Sequence, residues 1–228
     1  MLNFIIDLQP LWLTFRLAFV TTLILFVVAI PISYHLAFSQ SRFKPVWETL
    51  VSMPLVLPPS VLGFYLLLAF SPQSALGAWL LANFDIRLAF SFAGLVIGSV
   101  IFSLPFMVQP IQSALQNLPS SLLEASRTLG KSDVTTLFRI LLPNIKPALL
   151  AAIVLSFAHT LGEFGVVLMI GGNIPGVTKV ASIAIFDEVE SLNYAAAHVY
   201  AAVLFCLSFV VLLTVYISQR KSKLFLYR

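Results

Sequence analysis

The sequence predicts an all-α, polytopic membrane protein with five spanning helices. Three observations lead there. Of 228 residues, 60% are hydrophobic and only 10% are charged, against about 25% charged in a soluble domain. The mean hydropathy of +1.01 means more apolar surface than soluble packing can hide, so the main solvent is lipid. The apolar residues also gather into five segments, roughly 11–38, 47–70, 88–108, 147–170 and 195–218. Each is near the ~20 residues that a spanning helix needs. The chain opens on no short apolar run with a small-residue cleavage site, so no removable signal peptide is expected. Cys206, the lone cysteine, lies in an apolar run and reads as a small buried hydrophobe.

Orientation follows from the cations. Arg42 and Lys44 follow the first span, and Arg127, Lys131, Arg139 and Lys146 lie in or beside the central loop. Arg220, Lys221, Lys223 and Arg228 end the chain. All fall on one side of a five-span layout. The other side holds Arg87 and Lys179 with Asp85, Asp187, Glu188 and Glu190. The amino terminus is therefore expected outside. The central loop and the carboxyl terminus are expected in the cytoplasm. This placement also explains the net charge of +4 without nucleic acid.

The first span is a plain apolar run, apart from Arg16. The second is irregular, with Pro54, Pro58 and Pro59 close together. Proline removes a backbone donor and clashes with the preceding turn. The helix after them, residues 60–70, would rise only about 16 Å, too short to cross. Broken backbone at membrane depth survives where protein or a watery cavity satisfies it. Pro58, Pro59 and Ser60 are therefore candidates for a transport pathway, and a simple kinked and tilted helix is the alternative. The third span carries Gly94 and Gly98 at GxxxG spacing, which lets another helix approach closely.

The fourth span bears a polar stripe: Ser156, His159, Thr160 and Glu163 recur at i, i+3, i+4 and i+7. Intramembrane polar groups usually face a bundle interior or cavity. Ser156, His159 and Thr160 are candidates for the pathway or its surroundings. Glu163 and Arg16 lie at similar depths, about 10 Å and about 8 Å below the same membrane face. They are expected to form a structural ion pair, with Arg16 snorkelling to the surface as the rival.

Between the third and fourth spans lies a long charged stretch, about residues 117–146. Ser121 and Glu124 have the form of a capping box. Gly130 is placed to end that first helix in the left-handed conformation. Ser132 or Asp133 can cap a second helix, in which Val134, Leu137, Phe138 and Leu141 form one apolar stripe. Pro143 is expected to stop it. This is a helix–glycine–helix elbow, best suited to docking into a partner's groove, with a surface-lying amphipathic linker as the alternative.

Gly130-Lys131-Ser132 imitates the end of a P-loop, but the position needing glycine is Ala125. The chain shows no nucleotide site, no paired-cysteine or H-E-x-x-H metal spacing and no G-x-S-x-G. No catalytic residue and no metal ligand is assigned, and no cofactor is expected on the chain itself.

The stretch "EASRTLGKSDVTTLFRILLP" resembles the EAA loop of ABC importer permeases. Glu124, Ala125, Gly130, Ile140, Leu142 and Pro143 match the family pattern, and Ser126 stands where the family has a second alanine. "MPLVLPPSVLG" from Met53 to Gly63, "LGEFG" from Leu161 to Gly165, and Asn173 to Gly176 are similar to the permeases of molybdate importers. The resemblance covers roughly residues 11–218. It implies a MetI-like, type I ABC importer permease fold in one transmembrane domain, residues 1–228, set in the inner membrane of a bacterial cell with the amino terminus in the periplasm. It implies a non-enzymatic subunit that moves a tetrahedral oxyanion, with molybdate favoured and tungstate as an alternative. Sulfate and thiosulfate permeases share parts of these motifs but usually carry an additional amino-terminal span. The implied partners are a second copy of the chain, a pair of ABC ATPase subunits that bind the ATP and Mg, a periplasmic oxyanion-binding protein and membrane lipid. Glu124, Ala125, Ser126, Gly130, Ile140, Leu142 and Pro143 would couple the chain to the ATPase. A stand-alone channel or secondary transporter is the rival from another class, and it leaves the elbow unexplained.

Overall fold

The computed structural model describes residues 7–226, with side-chain surroundings for residues 7–217. Arg228 lies outside the described residues, as do the side chains of Arg220, Lys221 and Lys223. All regular secondary structure among the described residues is helical, without a strand. Helix α1 (Gln9–Phe38) is followed by α2 (Lys44–Ser52), a short 3-10 turn (Met53–Leu55), α3 (Pro59–Phe70), α4 (Ala75–Phe84) and α5 (Phe92–Gln116). The elbow contains α6 (Ser120–Thr128), α7 (Asp133–Thr136), one wide π-helical turn (Leu137–Leu141) and α8 (Leu142–Asn144). Helices α9 (Lys146–Leu161), α10 (Gly165–Gly171), α11 (Ala181–Glu190) and α12 (Tyr194–Leu226) complete the chain.

Helices α1, α5 and α12 are long and apolar enough to cross a membrane unbroken. The other two expected spans are broken. Lys44–Leu55 meets Pro59–Phe70 at 108°, because Pro58 and Pro59 cannot continue the ladder from α2. The second segment is therefore not one rod from 47 to 70. The fourth is also divided, at Gly162–Phe164, into α9 and the short α10. Helix α5 starts at Phe92, later than expected, since Ser91 caps it by accepting from the Gly94 amide at 3.1 Å.

Two apolar clusters hold α1 and α5 side by side and parallel. Near one end Leu13 and Leu17 pack with Leu95 and Val96. Towards the elbow Leu25, Ala29 and Leu36 pack with Met107, Val108, Ile111 and Leu115. The Ser33 hydroxyl donates to the Val108 carbonyl at 3.1 Å across the pair. Helix α12 packs on α9 and α11, and its outer side chains, such as Phe205 and Phe209, are exposed. Cys206 is likewise exposed, not buried as its apolar surroundings suggested, because α12 lies at the periphery.

Candidate functional site: the elbow and the broken spans

The elbow starts on Pro119, whose extended backbone precedes α6 without any side-chain cap. The expected capping box is absent: α6 begins at Ser120, so Ser121 lies inside the first turn and Glu124 is exposed. The end of α6 is as expected. Gly130 has φ +66°. The Gly130 amide donates to the Arg127 carbonyl at 2.9 Å, and the Lys131 amide donates to the Ser126 carbonyl at 3.1 Å. These two bonds form a Schellman motif, which a residue with a Cβ enters only under strain. The Ser132 hydroxyl caps α7, accepting from the Thr135 amide at 3.3 Å.

Ser126 and Thr136 are both buried, and their hydroxyls meet at 2.5 Å. This bond ties α6 to α7 across the glycine. The sequence reading treated Ser126 only as a small stand-in for alanine. Its partner ten residues on was not legible without the bend.

Pro143 does not stop the second elbow helix. The chain widens to a π turn at Leu137–Leu141 and continues through Pro143 to Asn144. The wider turn relieves the clash between a proline ring and the carbonyl four residues earlier. The expected apolar stripe also splits in two. Leu137 and Leu141 enter the core with Leu142. Val134 and Phe138 stay 67% and 58% exposed, beside Leu129 at 72%. Glu124, Ala125 and Pro143 are exposed as well, and Ile140 is half-buried. The elbow thus has a buried scaffold and a bare outer face with three large apolar side chains.

The two breaks meet. A Cβ built on Gly165 would lie 2.8 Å from Pro59 Cβ and 3.4 Å from the Ser60 amide nitrogen. A Cβ on Gly63 would lie 2.7 Å from Met169 Cβ. Helices α3 and α10 therefore run parallel, in backbone contact, from adjacent starting points. Gly98 of the GxxxG pair faces α10 through Ile170 and Val166, so this close approach lies within the chain. Pro58, Pro59 and Ser60 are exposed beside it. Gly162 and Gly165, flanking Glu163, were the signal for the second break.

The polar stripe of α9 divides. Thr160 is buried, donates to the Ser156 carbonyl at 2.9 Å, and its hydroxyl lies 3.1 Å from that of Ser103 on α5. His159 stacks on Phe106 at 3.9 Å between ring centroids. Glu163 lies past the end of α9 and is 4% exposed. Arg16 does not reach it: its guanidinium sits 4.4 Å above the centre of the Phe92 ring and the residue is exposed. The two charged ion pairs among the described residues are Lys44–Glu48 and Lys179–Asp187. The expected Arg16–Glu163 pair is therefore not formed, because Arg16 points outward from α1 while Glu163 points into the bundle.

Residues 29–223 match the family model described as "Binding-protein-dependent transport system inner membrane component". The chain is 46% identical, over 94% of its length and 95% of the relative's, to the "Molybdenum transport system permease protein ModB" of Azotobacter vinelandii. It is 34% identical, over 78% of its length and 64% of the relative's, to the sulfate transport system permease protein CysT of Escherichia coli K12. Among solved structures, an inward-facing MetNI methionine ABC transporter matches with a TM-score of 0.72 at 16% identity, covering 94% of both chains. The elbow and both breaks lie within the residues that the family model matches.

Proposed function

The chain belongs to the binding-protein-dependent transport system inner membrane components, and from that premise we propose that it is the permease subunit of an ABC importer for molybdate. The substrate assignment rests on the 46% identity to the Azotobacter permease. The coupling assignment rests on one observation: Leu129, Val134 and Phe138 are bare on an elbow whose Leu137, Leu141 and Leu142 are buried in the core. Apolar side chains that face water on a braced scaffold suit a partner's groove. That partner is a separate ATPase carrying the ATP and Mg. The elbow then faces the cytoplasm and the amino terminus faces the periplasm, where an oxyanion-binding protein delivers substrate. Five spans per chain make a two-fold dimer the simplest enclosure for one pathway.

The pathway runs past the meeting point of the two breaks. Pro58, Pro59 and Ser60 are exposed there, and with Pro59 lacking an N–H and the Val61 and Leu62 amides bonded to the Pro58 carbonyl, the Ser60 amide is the one free donor in the first turn of α3, beside Gly165. An amide end favours a passing anion over a cation. Thr160 is engaged with Ser103 inside the protomer, so Ser156 and Thr160 support the pathway from behind. The test is reconstitution with the ATPase and the binding protein in vesicles. ATP-dependent uptake of molybdate, resisting a large excess of sulfate, is expected. Equal competition by sulfate would favour the second reading, which the Escherichia coli relative supports. Uptake without ATPase would overturn the importer assignment.

A further inference from the structure

The three unbroken spans differ in their bare faces. That of α1 runs through Phe19, Leu23 and Val27, and that of α12 through Phe205 and Phe209, side chains that suit lipid. From Met107 to Gln116, the exposed residues of α5 are instead Gln109, Ser113 and Gln116. Gln109 lies seven residues before the end of α5, about 10 Å inside the membrane from the elbow. Polar side chains at such depth face a bundle interior or a watery cavity.

Two hydrogen bonds tie this face to α2. Gln109 Nε2 donates to Ser52 Oγ at 2.9 Å, and Gln112 Nε2 donates to Glu48 Oε1 at 2.7 Å. The two rungs lie about one helical turn apart on each helix. Lys44 Nζ stands 3.9 Å from the same Glu48 oxygen, so the rung nearer the elbow carries a charge pair with no net charge.

Helix α2 has a groove on each side. One, of about 600 Å³, is lined by Glu48, Thr49 and Ser52 and continues along Val56 and Leu57, next to the break at Pro58. The other, of about 580 Å³, is mainly apolar and is lined by Trp47, Leu50 and Val51 with Ile32, Leu36 and Leu104. A helix with one polar and one apolar face separates two solvents.

We propose that α2 is the wall between lipid and the elbow half of the transport pathway, with Gln109 and Ser52 as the donors that a passing oxyanion meets there. This rests on the importer reading above. The rung uses one of the two Gln109 amide protons and a lone pair of Ser52, which leaves the second amide proton and the Ser52 hydroxyl proton for an anion. Both donors are neutral. A lone cation would hold a dianion, whereas neutral donors bind it weakly enough to release it. The pathway then runs from the Ser60 amide, through the polar groove, to the Lys44–Glu48 pair.

The wall is tested by labelling. In a Cys206→Ala background, Ser52→Cys and Leu50→Cys place thiols two residues apart, one in each groove. A charged, water-soluble thiol reagent, applied to the transporter in lipid nanodiscs that leave both membrane faces open, should label Ser52→Cys and spare Leu50→Cys. Equal labelling, or an unlabelled Ser52→Cys, would overturn the wall. The donor role is tested by charge. Gln109→Glu keeps a rung, since its carboxylate accepts from the Ser52 hydroxyl, but sets a negative charge against the anion. Uptake of molybdate by the reconstituted transporter should fall by about tenfold or more, further than in Gln109→Leu, with ATPase content unchanged in both. Unaltered uptake in Gln109→Glu, or loss in Gln109→Leu alone, would make Gln109 a brace for α2 and overturn its donor role. Absence of uptake in the unaltered transporter would sink the importer reading instead, while the labelling, which needs no transport, still decides whether α2 is a wall.

Discussion

Replacing Gly130 separates coupling from folding. A Cβ built there meets nothing within 4 Å, so a substitution creates no clash. The cost is conformational alone, because φ is +66°. A residue with a Cβ in that region loses about 1–2 kcal/mol, a factor of about 5–30 in any equilibrium that needs the bend. Asparagine tolerates the region best, and a β-branched side chain worst. The ATPase retained per permease on purification should therefore fall in the order glycine, asparagine, alanine, valine. Membrane insertion should be unchanged, since Gly130 is exposed and outside both apolar clusters. Uptake in reconstituted vesicles should follow the same order. Full ATPase content and full uptake in Gly130→Val would refute the elbow as the coupling element.

Phe138→Asp should leave the fold intact, because the side chain is exposed, yet weaken ATPase binding by about 2 kcal/mol if Phe138 is an anchor; unchanged co-purification would move the docking face elsewhere. Ser126→Ala removes the bond to Thr136 and should loosen the elbow by about 1 kcal/mol, seen as faster amide exchange over residues 124–136; unaltered exchange would mean that the bond braces nothing. Gly165→Val forces α10 off Pro59, so uptake should collapse while ATPase content is retained. Because Arg16 and Glu163 do not pair, the stability losses of Arg16→Ala and Glu163→Ala should add in the double variant; rescue in the double variant would show an interaction.

Much of this was legible in the sequence because it is local. Apolar run length places the spans, and Gly130 and Ser132 punctuate the elbow through bonds to residues within five positions. Pro58 and Pro59 announce one break for the same reason. What escaped depends on direction or on distant partners. Depth alone put Arg16 opposite Glu163, but depth carries no angle about a helix axis, and Arg16 points to Phe92. Spacing put Glu163 on the stripe of Ser156 and Thr160, but that spacing presumes a helix that ends at Leu161. The stripe from Val134 to Leu141 presumed 3.6 residues per turn, and the π turn at Leu137–Leu141 rotates half of it outward.

The order of elements supplies a lever between the elbow and the proposed pathway. Leu141, Leu142 and Ile145 are buried in one cluster with Ala152 of α9, so the second half of the elbow is packed against the base of α9. Helix α9 is 16 residues long, about 24 Å at 1.5 Å per residue. It ends at the Gly162–Phe164 break, beyond which Gly165 abuts Pro59 and Ser60. A tilt of about 5° at the elbow end of such a rod moves its far end by about 2 Å, taking the helical rise as its length. With Gly165 backed against Pro59 without room for a methyl group, a shift of that size either parts the two broken helices or presses them together. Close-packed contacts respond to such shifts by switching arrangement instead of deforming smoothly. The glycine at 165 and the prolines at 58 and 59 thus lie at the far end of that lever, beside the proposed pathway.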